Sequence, residues 1–259
     1  LYRYASNNPV MRIDPNGMKD EVVEQSKKEY KIDDLQKWYS TNPKTGQNQY
    51  NQEITDIFNT FKELGAKVEI INDQGFRASY DQSSNTLKIP EQFLTDPMFA
   101  RQNPDELSVF VHEGTHLKQW FGVFKERLQK EDPEKFGKMS ETDLKKSFGE
   151  MSSKDRVGLF KWKATQAGSK DNFVKMMLGF EKEAYSAERE AAKKLNEKSP
   201  LPLIEDDFNK LYPSGHEAFP SLATEKEKQK ADYKMRPEYE NYYKKRYSDM
   251  YDKNKGNKK

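Results

Sequence analysis

The sequence contains no cysteine and only three histidines among its 259 residues. The lack of cysteine excludes disulfide bonds and thiolate ligands, so a metal site in this chain has to use imidazole, carboxylate and water. Long apolar runs are also lacking: no stretch resembles a signal peptide or is long enough to span a membrane. Hydrophobic residues form only 34% of the chain and the mean hydropathy is −1.12. A chain of this length can form one large domain or two small ones with a proper core, and this composition predicts long helices exposed to solvent.

Basic and acidic residues are nearly balanced, and the net charge is only +2. This balance argues against general affinity for nucleic acid. Basic residues are concentrated in residues 224–259, where Lys, Glu and Tyr alternate and five tyrosines have helix-like spacing. Although interleaved basic and aromatic residues can bind nucleic acid, we expect this segment to be a helix that packs on the domain or on a partner and becomes disordered at its end.

Residues 103–129 predict a long helix that holds two of the three histidines. Asn103 suits the N-cap, and Pro104 suits the first helical position. Apolar residues recur at steps of three and four and form one stripe that should face the core: Leu107, Phe110, Gly114, Leu117, Phe121, Phe124 and Leu128. His112 and His116 lie nearly opposite the centre of this stripe, so their rings are expected to face a cleft or solvent.

The histidines belong to the motif HEGTH, which matches HExxH. Two imidazoles one helical turn apart can bind one metal ion, and the glutamate after the first can act as general base toward water. The pattern predicts His112 and His116 as zinc ligands and Glu113 as the catalytic base. Glycine makes a helix interior less stable than alanine does, so its presence at position 114 predicts that another element approaches closely there.

The remaining patterns predict a mostly helical α+β fold with a small sheet before the HEGTH helix. A helix is expected over residues 49–64, a strand over 67–72, and a hairpin of 76–80 and 86–89. Helices are also expected from a capping box at Ser140 through Phe148, over 154–165, and over 172–197. The last carries the stripe Phe173, Met177, Phe180, Ala184, Ala187, Ala191 and Leu195.

This order of elements resembles the upper half of zincin-type metallopeptidases, in which a small twisted sheet precedes the active-site helix. The resemblance implies an edge strand that lines the cleft and pairs with extended substrate backbone. Residues 85–90, NTLKIP, are the candidate for that strand, although an ordinary hairpin explains them equally well.

The third metal ligand is expected from the segment EKEAYSAE, residues 181–188. It resembles the second motif of the gluzincins, and that match implies Glu183. Helix geometry alone leaves Glu181 and Glu188 open as well, because all three border the buried stripe. The chain departs from the thermolysin-like pattern at Ala187, where an Asp would hold the first histidine. His216 is a further candidate, either as third ligand or as a catalytic donor to the oxyanion.

Residues 1–18, LYRYASNNPVMRIDPNGM, resemble the end of the core repeat shell in rearrangement-hotspot (Rhs) and YD-repeat proteins. In that family the shell encloses a variable C-terminal toxin and is cut just after this motif. The resemblance implies that residues 1–18 are the shell junction and that the toxin begins at Lys19. Together with the patterns above, it predicts three further segments: a helical linker (19–48), a zincin-like metallopeptidase domain (49–223) and a basic helical tail (224–259). It also implies secretion or delivery into a target cell and a cognate immunity protein in the producer.

The sequence therefore predicts a zinc metallopeptidase toxin that acts on a protein or peptide substrate. Two alternatives stay open. One is a zinc hydrolase toxin that is not proteolytic. The other is a binding module in which HEGTH holds a metal for stability or holds none.

Overall fold

The computed structural model describes residues 31–40, 52–71, 78–91, 104–197 and 237–255. Most of these residues are helical, and three short strands form one sheet. In chain order the elements are α1 (Ile32–Ser40), α2 (Gln52–Glu63), β1 (Lys67–Ile71), β2 (Ser79–Asp81), β3 (Thr86–Pro90), α3 (Pro104–Glu131), α4 (Pro133–Lys138), α5 (Glu141–Gly149), α6 (Ser153–Gln166), α7 (Lys170–Glu197) and α8 (Pro237–Lys255). The α+β class predicted from the sequence is confirmed at this level.

Helix α3 is the element on which the others pack, and it extends from Pro104 to Glu131, close to its predicted range. Its apolar stripe is buried at Phe110, Gly114, Leu117 and Phe121, as expected. One part of the stripe meets α2, where the Phe58 and Phe110 rings lie 5.1 Å apart between centroids. Farther along, the Phe121 ring packs against Phe148 of α5.

Helices α2 and α3 approach each other closely at Gly114. A Cβ atom placed on Gly114 would lie 2.1 Å from Ile57 Cδ1 and 2.2 Å from Ile57 Cγ1. Real side chains do not approach so closely, so only glycine fits here without displacing Ile57. The close approach that the sequence predicted at Gly114 is therefore confirmed.

The sheet has the strand order β1-β3-β2. Strand β1 pairs with β3 in parallel, and β2 pairs with β3 antiparallel as the predicted hairpin. Asn85, just before β3, has a left-handed backbone with φ of 55°, and its Nδ2 donates to the carbonyl oxygens of Leu64 and Gly65. This side chain ties the hairpin to the end of α2.

One expectation about the sheet is wrong. The segment 85–90 was the candidate edge strand, but β3 lies between β1 and β2 and is largely buried. A central strand has both of its hydrogen-bonding edges occupied, so it cannot add an extended substrate strand. Strand β2 is an edge strand of this sheet, and it packs on α3.

The opposite face of α3 is also covered, because α7 packs along it. Small buried residues on α7, Ala184 and Ala191, allow the two helices to approach closely. Val109, Trp120 and Val123 of α3 are buried too, although they lie outside the stripe. The expectation that the histidines face an open cleft or solvent is therefore wrong for His112, which is 5% exposed.

Helix α8 packs against α7 and buries Tyr247 and Tyr251 in the common core. The predicted helix in the tail and its packing on the domain are thus observed. Helix α1 joins the same core through Ile32 and Leu35. The described core therefore includes elements on both sides of the range 49–223. Within the described residues, no helix is long and apolar enough to cross a membrane.

Candidate metal centre

His112 and His116 point toward the same place from one face of α3. Their Nε2 atoms are 3.1 Å apart, and their rings meet edge to face with centroids 4.8 Å apart. The helical spacing of four residues produces this convergence, since it returns the chain to nearly the same face after one turn. Both nitrogens thus lie where one ion could be shared.

Glu181 of α7 completes a three-residue cluster that could hold a metal ion. Its Oε2 lies 3.4 Å from His116 Nε2 and 3.7 Å from His112 Nε2. That oxygen is buried and receives no hydrogen bond. A buried carboxylate oxygen without a donor is costly, and a positive charge beside it would offset that cost.

Glu183, the residue implied by the gluzincin resemblance, is not at this cluster. It is exposed, and its Oε2 accepts a hydrogen bond of 2.9 Å from Gln119 Nε2. Residues two positions apart on a helix point in directions that differ by about 200°, so Glu181 and Glu183 lie on nearly opposite faces of α7. Once Glu181 faces the histidines, Glu183 cannot do so.

Glu188 lies next to the other nitrogen of His112. Its Oε2 is 2.9 Å from Nδ1, a contact that is close in distance but poorly aligned as a hydrogen bond. Residues seven apart on a helix differ by only about 20°, so Glu181 and Glu188 share the face of α7 that meets α3. The carboxylate favours a proton on Nδ1 and leaves Nε2 as the coordinating atom of a neutral ring.

Gln119 orients the second ring in the same way. Its Nε2 donates to the carbonyl oxygen of Phe180 at 3.0 Å, and its Oε1 lies 2.9 Å from His116 Nδ1. A carbonyl oxygen only accepts, so the amide nitrogen must face Phe180 and the amide oxygen must face the ring. His116 Nδ1 is therefore the donor, and its Nε2 also presents a lone pair when the ring is neutral.

Two lone pairs and a carboxylate oxygen therefore converge on one point. A tetrahedral zinc ion with ligands at about 2.0–2.1 Å has ligand atoms about 3.3 Å apart. The three separations here are 3.1, 3.4 and 3.7 Å. The size of the triangle and the chemistry of the donors both fit zinc.

The pKa values of His112 and Glu181 are also shifted in the directions that favour positive charge at this site. Burial by itself would lower the pKa of His112, but the adjacent carboxylates of Glu181 and Glu188 outweigh it and raise the pKa to about 10. Burial would raise the pKa of Glu181, yet the two histidines reverse the effect and hold it well below its usual range. Without a metal, a proton supplies the charge that the site requires.

Glu113 is held by the sheet rather than by a side chain. The backbone N–H of Tyr80 in β2 donates to Glu113 Oε2 at 2.8 Å. Burial raises the pKa of Glu113, while the histidines and this N–H act in the opposite direction. A carboxylate whose pKa is raised is a stronger base, which suits it to accept and return a proton.

Tyrosines on α7 and α8 cover the cluster. The Tyr185 ring packs edge-on against His112 with centroids 4.5 Å apart, and its hydroxyl lies 3.2 Å from that of Tyr243. Tyr247 donates its hydroxyl to Glu181 Oε1. Burial and the charge of Glu181 hold the pKa of Tyr247 well above its usual range, so it remains a donor.

Comparisons with protein-family models, with curated proteins and with solved structures found no match to this chain. The function therefore has to be argued from the geometry of the site and from the sequence motifs.

The structure unites three of the predicted site residues, His112, Glu113 and His116, in one region between β2, α3 and α7. His216 lies outside the described residues, as does the junction segment 1–18. The role of Gln119 was missed because an amide three residues after a histidine has no distinctive pattern. The role of Tyr80 was missed because it contributes a backbone N–H, which every residue except proline has. Tyr247 belongs to the spaced tyrosines of the tail, but their spacing does not indicate which neighbour they contact.

Proposed function

We propose that this chain is a zinc-dependent metallopeptidase that hydrolyses amide bonds. What supports the proposal is one observation: His112 Nε2, His116 Nε2 and Glu181 Oε2 converge with the separations of a zinc site, and Glu113 follows the first histidine on the same helix. Three protein ligands with a fourth position for solvent are typical of catalytic zinc sites. Glu181 takes the role of third ligand in this proposal, in place of Glu183.

Zinc bound by these three residues would supply a Lewis acid that acidifies water and polarises a carbonyl group. Glu113 would accept the proton of the attacking water on its carboxylate and return it to the leaving amine. Tyr80 would keep Glu113 in place through its backbone N–H. Glu188 and Gln119 would keep the Nδ1 protons on the two histidines, so that both Nε2 atoms remain available as ligands.

We further propose that the activity is that of a toxin released from an Rhs-type effector. The support is the resemblance of residues 1–18 to the end of the Rhs repeat shell. A free protease would attack the cell that makes it, so a cognate immunity protein is the expected partner. The proposed substrate is a protein or peptide in the target cell.

One observation favours a second candidate, a metal-stabilised module without catalysis. His112 is 5% exposed and Glu181 is 4% exposed, and a structural zinc site is closed to solvent. His116 is less deeply buried, which favours access from its side. Catalysis requires a fourth position that solvent can reach, and the two candidates differ on that point.

The experiment compares the purified protein with its Glu113→Gln variant. Both should bind about one zinc ion per chain, because Glu113 is not a ligand. The parent protein should create new N-termini in a cell lysate, and the variant should lose about 10²-fold or more of that activity, as expected when a general base is removed. The matched control is Glu183→Gln, which changes an exposed glutamate to the same amide and should leave cleavage intact.

Removal of zinc with a chelator separates the two candidates. Loss of cleavage with little change in the melting temperature supports the peptidase. Cooperative unfolding on chelation, with no cleavage by the zinc-loaded protein, supports the structural module. Full activity of the Glu113→Gln variant would exclude Glu113 as the base.

A further inference from the structure

Helix α8 reaches the candidate metal centre through one hydroxyl group. Tyr247 is 5% exposed, and its hydroxyl donates to Glu181 Oε1. The other oxygen of the same carboxylate, Oε2, faces the two histidines and receives no hydrogen bond. The two oxygens of Glu181 thus have different partners, one on α8 and the other at the metal centre.

We propose that Tyr247 is a positioning residue for the metal centre: it holds Glu181 so that only Oε2 is presented to the ion, and it makes α8 part of the site. This inference rests on the proposed metal site. It does not require that the site be catalytic.

The hydroxyl of Tyr247 restricts rotation of the Glu181 carboxylate. A carboxylate can turn about its last side-chain bond and exchange its two oxygens. With Oε1 bound to a buried donor, that rotation breaks a charge-assisted hydrogen bond inside the protein. Fixed ligands lose less freedom when the ion binds, so the bond should raise the affinity for metal.

Tyr247 is itself held in place by its neighbours. Its ring is stacked on Tyr243, with centroids 5.9 Å apart and planes 15° from parallel. The Tyr243 hydroxyl in turn lies 3.2 Å from that of Tyr185, whose ring packs against His112. Helix α8 therefore contacts the surroundings of two of the three candidate ligands, Glu181 and His112.

Tyr247→Phe tests the proposal in the full chain, with Tyr251→Phe as the matched control. Tyr251 is another buried tyrosine on α8, one turn farther on, and it packs on Phe173 away from the histidines. Both variants lose one hydroxyl from a buried ring. The zinc dissociation constant, measured by competition with a chelating dye, should rise about 10–100-fold for Tyr247→Phe and stay within about twofold for Tyr251→Phe.

A spectrum and a second background separate positioning from general destabilisation. The visible absorption of bound Co²⁺ should change in Tyr247→Phe and stay unchanged in Tyr251→Phe, because only the first substitution releases the carboxylate of Glu181, a candidate ligand. On a Glu181→Gln background, Tyr247→Phe should cause no further loss of Co²⁺ affinity, since its effect passes through Glu181. Equal losses with Glu181 present and absent would overturn the proposal.

Hydrogen exchange of the unaltered protein provides a test that needs no variant to fold. Coupling between the ion and α8 is reciprocal, so zinc should slow amide exchange over residues 240–251 as well as in α3 and α7. Protection of α3 and α7 alone would overturn the proposal.

The outcomes distinguish this inference from the proposed function. Metal affinity that depends on Tyr247 in a protein without peptidase activity supports the positioning role and contradicts the peptidase. Cleavage by a zinc-loaded protein whose affinity is unchanged in Tyr247→Phe contradicts only the positioning role. A protein that binds neither Zn²⁺ nor Co²⁺ overturns both.

Discussion

Replacement of Gly114 by alanine tests the close contact between α3 and α2 within the HEGTH motif. The added Cβ would lie 2.1 Å from Ile57 Cδ1, well inside van der Waals contact. Ile57 is 3% exposed, so its side chain cannot turn out into solvent without leaving the core. The substitution must therefore displace Ile57 or move α2 away from α3.

Two opposing effects determine the magnitude. Alanine is favoured over glycine in a helix interior by about 1 kcal/mol, whereas overpacking a core costs about 1–3 kcal/mol. Gly122 offers the control, because it is exposed on the same helix and a Cβ there would meet no atom within 4 Å. Gly122→Ala should raise the free energy of unfolding by up to about 1 kcal/mol. The difference between the two variants cancels the helix preference and should be about 1–3 kcal/mol.

Urea unfolding of the metal-free protein, followed by circular dichroism, measures both variants under the same conditions. A second background sharpens the test: Ile57→Ala removes the two clashing atoms, so Gly114→Ala should become stabilising there. The reasoning is refuted if Gly114→Ala and Gly122→Ala stabilise the parent protein equally.

Two further predictions concern the metal centre. Glu181→Gln should weaken zinc binding by about 100-fold or more, as measured by dye competition. Glu183→Gln, at the exposed position, should change zinc affinity by less than about threefold. A larger loss of affinity in Glu183→Gln than in Glu181→Gln would instead support Glu183, the ligand implied by the gluzincin resemblance. In the metal-free protein, the pKa of His112 is raised from 6.5 to about 10. The charged ring therefore stabilises the fold fully below pH 6.5, and this contribution is lost as the pH rises through about 10. The urea midpoint should fall over that range, and it should fall less in a His112→Gln variant; an identical pH dependence in both proteins would contradict the assigned ion network.

The long helices were predictable because their patterns are local. The capping box at Ser140 and Asp143 is observed, and α5 begins and ends close to the predicted residues. Helices α3 and α7 likewise follow their periodic stripes. In each case the side chains that determine the element lie within a turn or two of one another, so a short window of sequence contains the cause.

The edge strand was not predictable on the same basis. Strand β3 has the alternation and turn signals of a hairpin strand, and these are equally compatible with an edge or a central position. Its central place arises from the parallel pairing with β1, which is separated from it by the hairpin loop and β2. A pairing between distant segments leaves no mark in the local pattern.

By itself, the sequence determined which residues could form a metal site: two histidines one turn apart on α3, a glutamate beside them, and three acidic residues on a later helix. His216 was a further candidate for third ligand and lies outside the described residues. The choice among the three acidic residues required the tertiary structure, because it depends on the rotation of α7 about its own axis where it packs on α3. Buried alanines and the opposing face of α3 set that rotation, turning Glu181 and Glu188 inward and Glu183 outward. The same packing placed Tyr247 of α8 on Glu181, a contact between residues 66 positions apart.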